Sequence, residues 1–142
     1  HFSYCDQWLK SVAAVEEIAR TYVKRDVHKT RSWTRISTAR VARISGVIAM
    51  LRRRGAQVTL VTPTVHPLTL SVMHGDPHIA ALLTELDAAL RHIGKTTGAT
   101  FAALRDPKAV GCGGSEFFDS HHPAPACATR IGAHLRARAE RQ

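Results

Sequence analysis

Residues 57–63 read Gln57-Val58-Thr59-Leu60-Val61-Thr62-Pro63. The run is short and rich in β-branched residues, with Gly55 before it and Pro63 ending it. Such a segment reads as a buried strand. A second run, Ala99 to Leu104, follows Gly98 and reads the same way. Between the two lies a helix. Asp76 is placed to cap it and Pro77 suits its first position. Ile79, Leu82, Leu83, Leu86, Ala89, Leu90 and Ile93 recur at helical spacing along one face. Strand, helix, strand implies parallel pairing through a right-handed crossover. Strands that are apolar throughout are covered by helices on both faces. The class expected is therefore α/β.

Working outward, residues Cys5 to Arg25 read as a helix carrying Trp8, Leu9, Val12, Val15, Ile18, Ala19 and Tyr22. The polar, basic stretch from Asp26 to Ser32 reads as a loop. A second helix is expected from Trp33 to Arg54, with Ile36, Ala39, Ile44, Val47, Ile48 and Leu51 as its apolar stripe. Arg52, Arg53 and Arg54 suit its last turn, and Gly55 its end. Trp8 and Trp33 most simply pack in the core or at its margin. Pro63 to Gly75 reads as a loop, as does the glycine-rich stretch from Arg105 to His122. A last helix spans Pro125 to Arg141, turning Ile131 and Leu135 inward. The expected order is α-α-β-α-β-α, in one domain over residues 1–142. Two strands are few for four helices, and the chain opens on His1 rather than Met. Further strands upstream of residue 1 are expected on both grounds.

Composition narrows the function classes. Apolar residues make up 44% and charged residues 22%, enough for a core and against wholesale disorder. The net charge of +9 favours acidic neighbours. The basic residues concentrate in 24–54 and 130–141, where they read as solvated helix faces. Aromatic residues are only 6%, without the basic interleaving that stacks bases, so nucleic-acid binding is not expected. No stretch of 18 apolar residues occurs. The three cysteines include no CxxC pair, so a structural zinc site is not expected. Cys112 and Cys127 bracket the segment richest in chemistry. They read either as a disulfide, suiting an extracytoplasmic protein, or as two ordinary small residues.

That segment is Phe117-Phe118-Asp119-Ser120-His121-His122-Pro123. A carboxylate three residues before an imidazole can hold the Nδ1–H of the ring. Nε2 is then free to take a proton from a serine hydroxyl. The segment falls after a strand and before a helix, at the sheet edge where open α/β folds build their sites. His121 competes with His122 for the role of base. His66 follows the first strand and is expected at the same edge, where it could line a substrate cleft with His121 and Ser120. Ser120 is badly placed to reach His122 as a nucleophile, and Ser115 lacks an elbow motif. His74 and His78, with Asp119, His121 and His122, offer metal ligands, but nothing in the spacing joins them. No metal and no cofactor are expected.

The block Asp119-x-x-His122-Pro123, followed by an amphipathic helix, resembles the last conserved block of the SGNH (GDSL-type) hydrolases. The preceding chain, from Gly55 to Pro63 and again from Gly98 to Phe101, is similar to the second half of that fold. The likeness covers roughly residues 40 to 136. It is greatest to extracytoplasmic acyl-transfer and polysaccharide O-acylation branches. The resemblance implies a fragment of a three-layer α/β/α flavodoxin-like fold, with Asp119 and His122 in a catalytic triad. It implies ester hydrolysis or O-acyl transfer on an ester-bearing small molecule or O-acylated polysaccharide. It also implies a serine in a Gly-Asp-Ser turn and an oxyanion hole built with Gly and Asn. Neither is present, for the sole Gly-Asp, Gly75-Asp76, opens a helix, and the chain contains no Asn. Cys127 stands where the family often has Gly. The serine is therefore expected from upstream sequence, which would also carry any membrane attachment, and the fragment alone is expected to be inactive. The alternative is a non-catalytic α/β module that binds a polyanionic or protein partner through its basic helices, with Arg31, Arg35, Arg52, Arg53 and Arg54 as contacts.

Overall fold

The computed structural model describes residues 11–140. Helix α1 spans Val12–Thr30 and α2 spans Thr38–Arg53. Strand β1 covers Thr59–Thr62. Helices α3 (Pro67–Gly75) and α4 (Pro77–Thr97) follow, then β2 (Thr100–Ala103). Two short 3-10 turns, Pro107–Val110 and Gly114–Glu116, lead to α5 (Pro125–Ala139). The chain is thus α/β, and the described residues form one helix more than expected. No helix of the described residues is long and apolar enough to cross a membrane.

β1 and β2 pair in parallel, Thr59 with Thr100 through Thr62 with Ala103. Alternation along the strands puts Leu60 and Phe101 on one face and Val61 and Ala102 on the other. Two apolar clusters follow that division. Leu60 and Val58 pack with Ile48 and Val41 of α2, Leu90 and Ile93 of α4, and Ala99. Ala102 joins Leu104, Val110, Cys112, Phe117, Val15 of α1 and Cys127 of α5, with Ile131 and Leu135 against them. Helices therefore cover both faces of the strand pair. Gly94 lets α4 approach the chain entering β2, since a Cβ there would lie 2.8 Å from the Ala99 carbonyl oxygen.

Several expectations need correction. Asp26 to Thr30 continue α1 rather than looping. No Gly or Pro interrupts that stretch, and its His28 and Lys29 suit the negative end of the helix dipole. Pro67 to Gly75 form α3 rather than a loop. Pro67 takes the first turn, where its missing N–H costs nothing, and the His66 ring accepts the Leu68 N–H. Helix α2 begins at Thr38 behind the Ser37 cap, not at Trp33. Trp33 is 61% exposed instead of packing. Ile44, Val47 and Leu51 of the expected stripe are also exposed. The seam of α2 against α4 is narrower than its apolar face, so Ile48 alone is fully covered. The Asp76 cap is found as expected, with its carboxylate accepting the His78 and Ile79 N–H groups. Trp8 and the first part of the expected N-terminal helix lie outside the described residues, as does Arg141.

Candidate active site

The loops after the two strands are tied together at the carboxyl end of the sheet. The Thr62 hydroxyl accepts the Leu104 N–H, and Val65 N–H reaches the Arg105 carbonyl. The Ser120 carbonyl accepts from both the His66 N–H and the Thr69 hydroxyl, each at 3.0 Å. The segment carrying Asp119 and His122 is thereby docked on the start of α3. Phe117, fully buried, anchors it from below with its ring edge against His66.

The segment itself is the tip of a small antiparallel hairpin. Phe117 bridges Pro123, Phe118 N–H donates to the His122 carbonyl, and Ala124 N–H donates to Glu116. Cys112 and Cys127 form a disulfide that ties the start of this loop to α5, which resolves the two readings of that pair. Arg130 of α5 pairs with Glu116. The Glu116 carboxylate also accepts the Gly113 N–H, and both contacts hold its carboxyl below the usual range.

Within this frame Asp119 is clamped. Its Oδ1 accepts the backbone N–H groups of His121 and His122 at 2.9 and 2.8 Å. Its Oδ2 meets His122 Nδ1 at 2.6 Å. Burial opposes ionisation of this carboxyl. The N–H groups of His121 and His122, the His122 ring and its charge outweigh it, so the net shift is downward. Asp119 is thus a fixed anion beside an imidazole that is 64% exposed. With Nδ1 committed to the carboxylate, the ring presents Nε2 outward. That arrangement can accept a proton from a hydroxyl and stabilise the resulting imidazolium.

The remaining candidates divide. His121 is exposed, and its Nδ1 contacts the Ser120 hydroxyl at 2.8 Å rather than replacing His122 against Asp119, from which it stands 3.9 Å. Ser120 is fully buried and bonded to its neighbour, so it lines no cleft and presents no nucleophile. His66 was expected at a cleft rim but is 1% exposed. Its Nδ1 accepts the Leu68 N–H, which puts its proton on Nε2, an atom that faces Gly114 without a well-formed partner. Burial lowers its pKa, so this ring sits neutral behind the loop. Thr69, which sequence reasoning missed, holds the loop through Ser120. Its only signal was a polar residue on a segment read as loop. His78 bonds the Trp33 carbonyl and takes no part in the site. Arg31 is engaged by Asp76, and Arg52 reaches the Ala56 carbonyl. A groove lined by Val27, Arg31, Val72 and His78 includes neither Asp119 nor His122. Comparison with known protein families, with curated proteins and with solved structures finds no match to this chain.

Proposed function

We infer that this chain supplies the acid–base half of a serine ester hydrolase or O-acyltransferase of SGNH type. In this reading His122 is general base and then general acid, and Asp119 fixes its tautomer and orientation. The nucleophilic serine comes from outside these residues and forms an acyl intermediate. Water or a sugar hydroxyl then accepts the acyl group from an ester-bearing small molecule or O-acylated polysaccharide. One observation carries the reading: the 2.6 Å contact between Asp119 Oδ2 and His122 Nδ1, on a carboxylate already clamped by two backbone N–H groups.

Two further features support it. The site lies where parallel strands end, and helices cover both faces of the strand pair, as in a three-layer α/β/α arrangement. The disulfide fits an extracytoplasmic compartment. The test is turnover of p-nitrophenyl acetate by the protein carrying its serine-bearing sequence. His122→Ala should lower kcat by three orders of magnitude or more, roughly. Unchanged turnover would sink the reading.

A non-catalytic role is favoured by a different observation. Helix α2 exposes Ile44, Val47 and Leu51 beside Arg40, Arg43 and Arg54. Such a face suits an acidic partner with apolar contacts. Retention on heparin that falls steeply with salt would support it.

A further inference from the structure

His121 stands beside the Asp119–His122 pair. One ligand atom from each of the three lies within 4.8 Å of the other two, and they are the one such group among the described residues. A carboxylate and two imidazoles are the donor set of zinc-type ions, and too nitrogen-rich for magnesium or calcium. Tetrahedral zinc wants these atoms about 3.3 Å apart, from Zn–N and Zn–O lengths near 2 Å. Rotations of the two exposed rings can close the 3.9 Å gap from His121 Nδ1 to Asp119 and open the 2.6 Å contact of His122 Nδ1, since the His121 side chain is 42% and the His122 side chain 64% exposed. Asp119 is already fixed through Oδ1 by two backbone N–H groups, and its Oδ2 is freed as a ligand once the His122 ring turns from it. Three protein ligands would leave a fourth position for water.

We propose that Asp119, His121 and His122 form a site for a zinc-type divalent ion, and that its occupancy silences His122 as a base. The regulatory half rests on the acid–base reading above, whereas the binding half does not. Either ring nitrogen of His122 gives the same result. A metal on Nε2 occupies the lone pair that would receive the serine proton. A metal on Nδ1 displaces the Asp119 hydrogen bond, and the neutral ring then carries its single proton on Nε2. In that case the proton moves from Nδ1 to Nε2 and none is lost. Removing the metal returns Nδ1 to Asp119. His121 is the residue that distinguishes this site from an ordinary dyad, as it takes no part in the contact between Asp119 and His122 yet supplies the third ligand.

The experiment reads the His122 nitrogen directly and needs no turnover. The oxidised chain is treated with diethyl pyrocarbonate, with and without Zn²⁺, and acylation of His122 is mapped by mass spectrometry. Zn²⁺ titrations of the same samples are followed by calorimetry, with Mg²⁺ as control. Zn²⁺ is expected to bind one to one and to slow His122 acylation about tenfold, while Mg²⁺ does neither. His121→Ala should weaken Zn²⁺ binding about tenfold or more and remove the protection. His121→Gln, which keeps a partner for the buried Ser120 hydroxyl, should behave the same way. Absence of Zn²⁺ binding, or equal protection in both variants, overturns the site. Binding that leaves His122 acylation unchanged overturns the silencing. Neither failure touches the acid–base reading, which the esterase assay tests separately.

Discussion

Breaking the Cys112–Cys127 disulfide is the perturbation whose size the fold defines most directly. The two cysteines are 15 residues apart and enclose the hairpin that carries Asp119 and His122. Opening a loop of that length frees the unfolded chain by about 3 kcal/mol in the chain-entropy treatment. Both cysteines are buried against Phe117, Ala102 and Leu104, so the reduced thiols remain in apolar surroundings and most of the native packing survives. For a domain of this size, about 3 kcal/mol corresponds to a fall of about 10 °C in Tm. The assay is thermal unfolding followed by circular dichroism, with and without reductant, alongside a Cys112→Ala/Cys127→Ala variant. The variant should fall at least as far as the reduced protein, because truncation also leaves a void in the cluster. The Nδ1 proton of His122, visible as a downfield resonance, should broaden on reduction if the loop loosens. A fall below about 3 °C, with an unchanged His122 resonance, would refute the reasoning. It would mean that the Ser120 anchors and the Glu116–Arg130 pair hold the hairpin without the cross-link.

Three further outcomes are expected. Thr69→Val keeps the shape and removes one of two donors to the buried Ser120 carbonyl, so urea denaturation should show a loss of about 1 kcal/mol. Equal stability would detach Thr69 from the loop. Gly94→Ala would improve helix propensity on α4, yet its Cβ would meet the Ala99 carbonyl oxygen at 2.8 Å. A net loss of about 1–3 kcal/mol is expected by the same measurement, and a gain would contradict the close packing. On acidification the pH dependence has two parts. His66 is held neutral by burial, with its pKa lowered, so stability starts to fall as pH drops through the unfolded imidazole value of about 6.5. Asp119, Glu116 and Asp76 have lowered carboxyl pKa values, so their contribution is full above the unfolded carboxylate values and disappears as pH falls through the folded ones. Unfolding curves between pH 8 and 2 should show both phases, and Asp119→Asn should shrink the lower one. A flat profile down to pH 3 would sink the assignment.

The two strands, the Asp76 cap, the long helix between the strands and the last helix were legible because each rests on local chemistry. β-branched runs, capping side chains, Pro at a first helical turn and helical periodicity act within a few residues. The same holds for the pairing of Asp119 with His122, since a three-residue separation lets one turn bring both together. Local rules mislead in two places. Asp26 to Thr30 and Pro67 to Gly75 were read as loops, although neither stretch contains an internal breaker, and both are helical.

What tertiary structure alone decided is which surfaces meet. Periodicity marks an apolar face on α2 but cannot say how wide its neighbours are, and among the described residues α4 and the β1 side chains cover only part of it, leaving Ile44, Val47 and Leu51 exposed. His66 and Ser120 carry polar side chains and were expected at a cleft, yet the crossing of two loops over the sheet end encloses both. The joining of Cys112 to Cys127, and the docking of Ser120 onto Thr69 across 51 residues, depend on where distant segments are brought by the parallel strands. Burial and long-range pairing are properties of the assembled chain, because the free energy of covering a side chain depends on what comes to cover it.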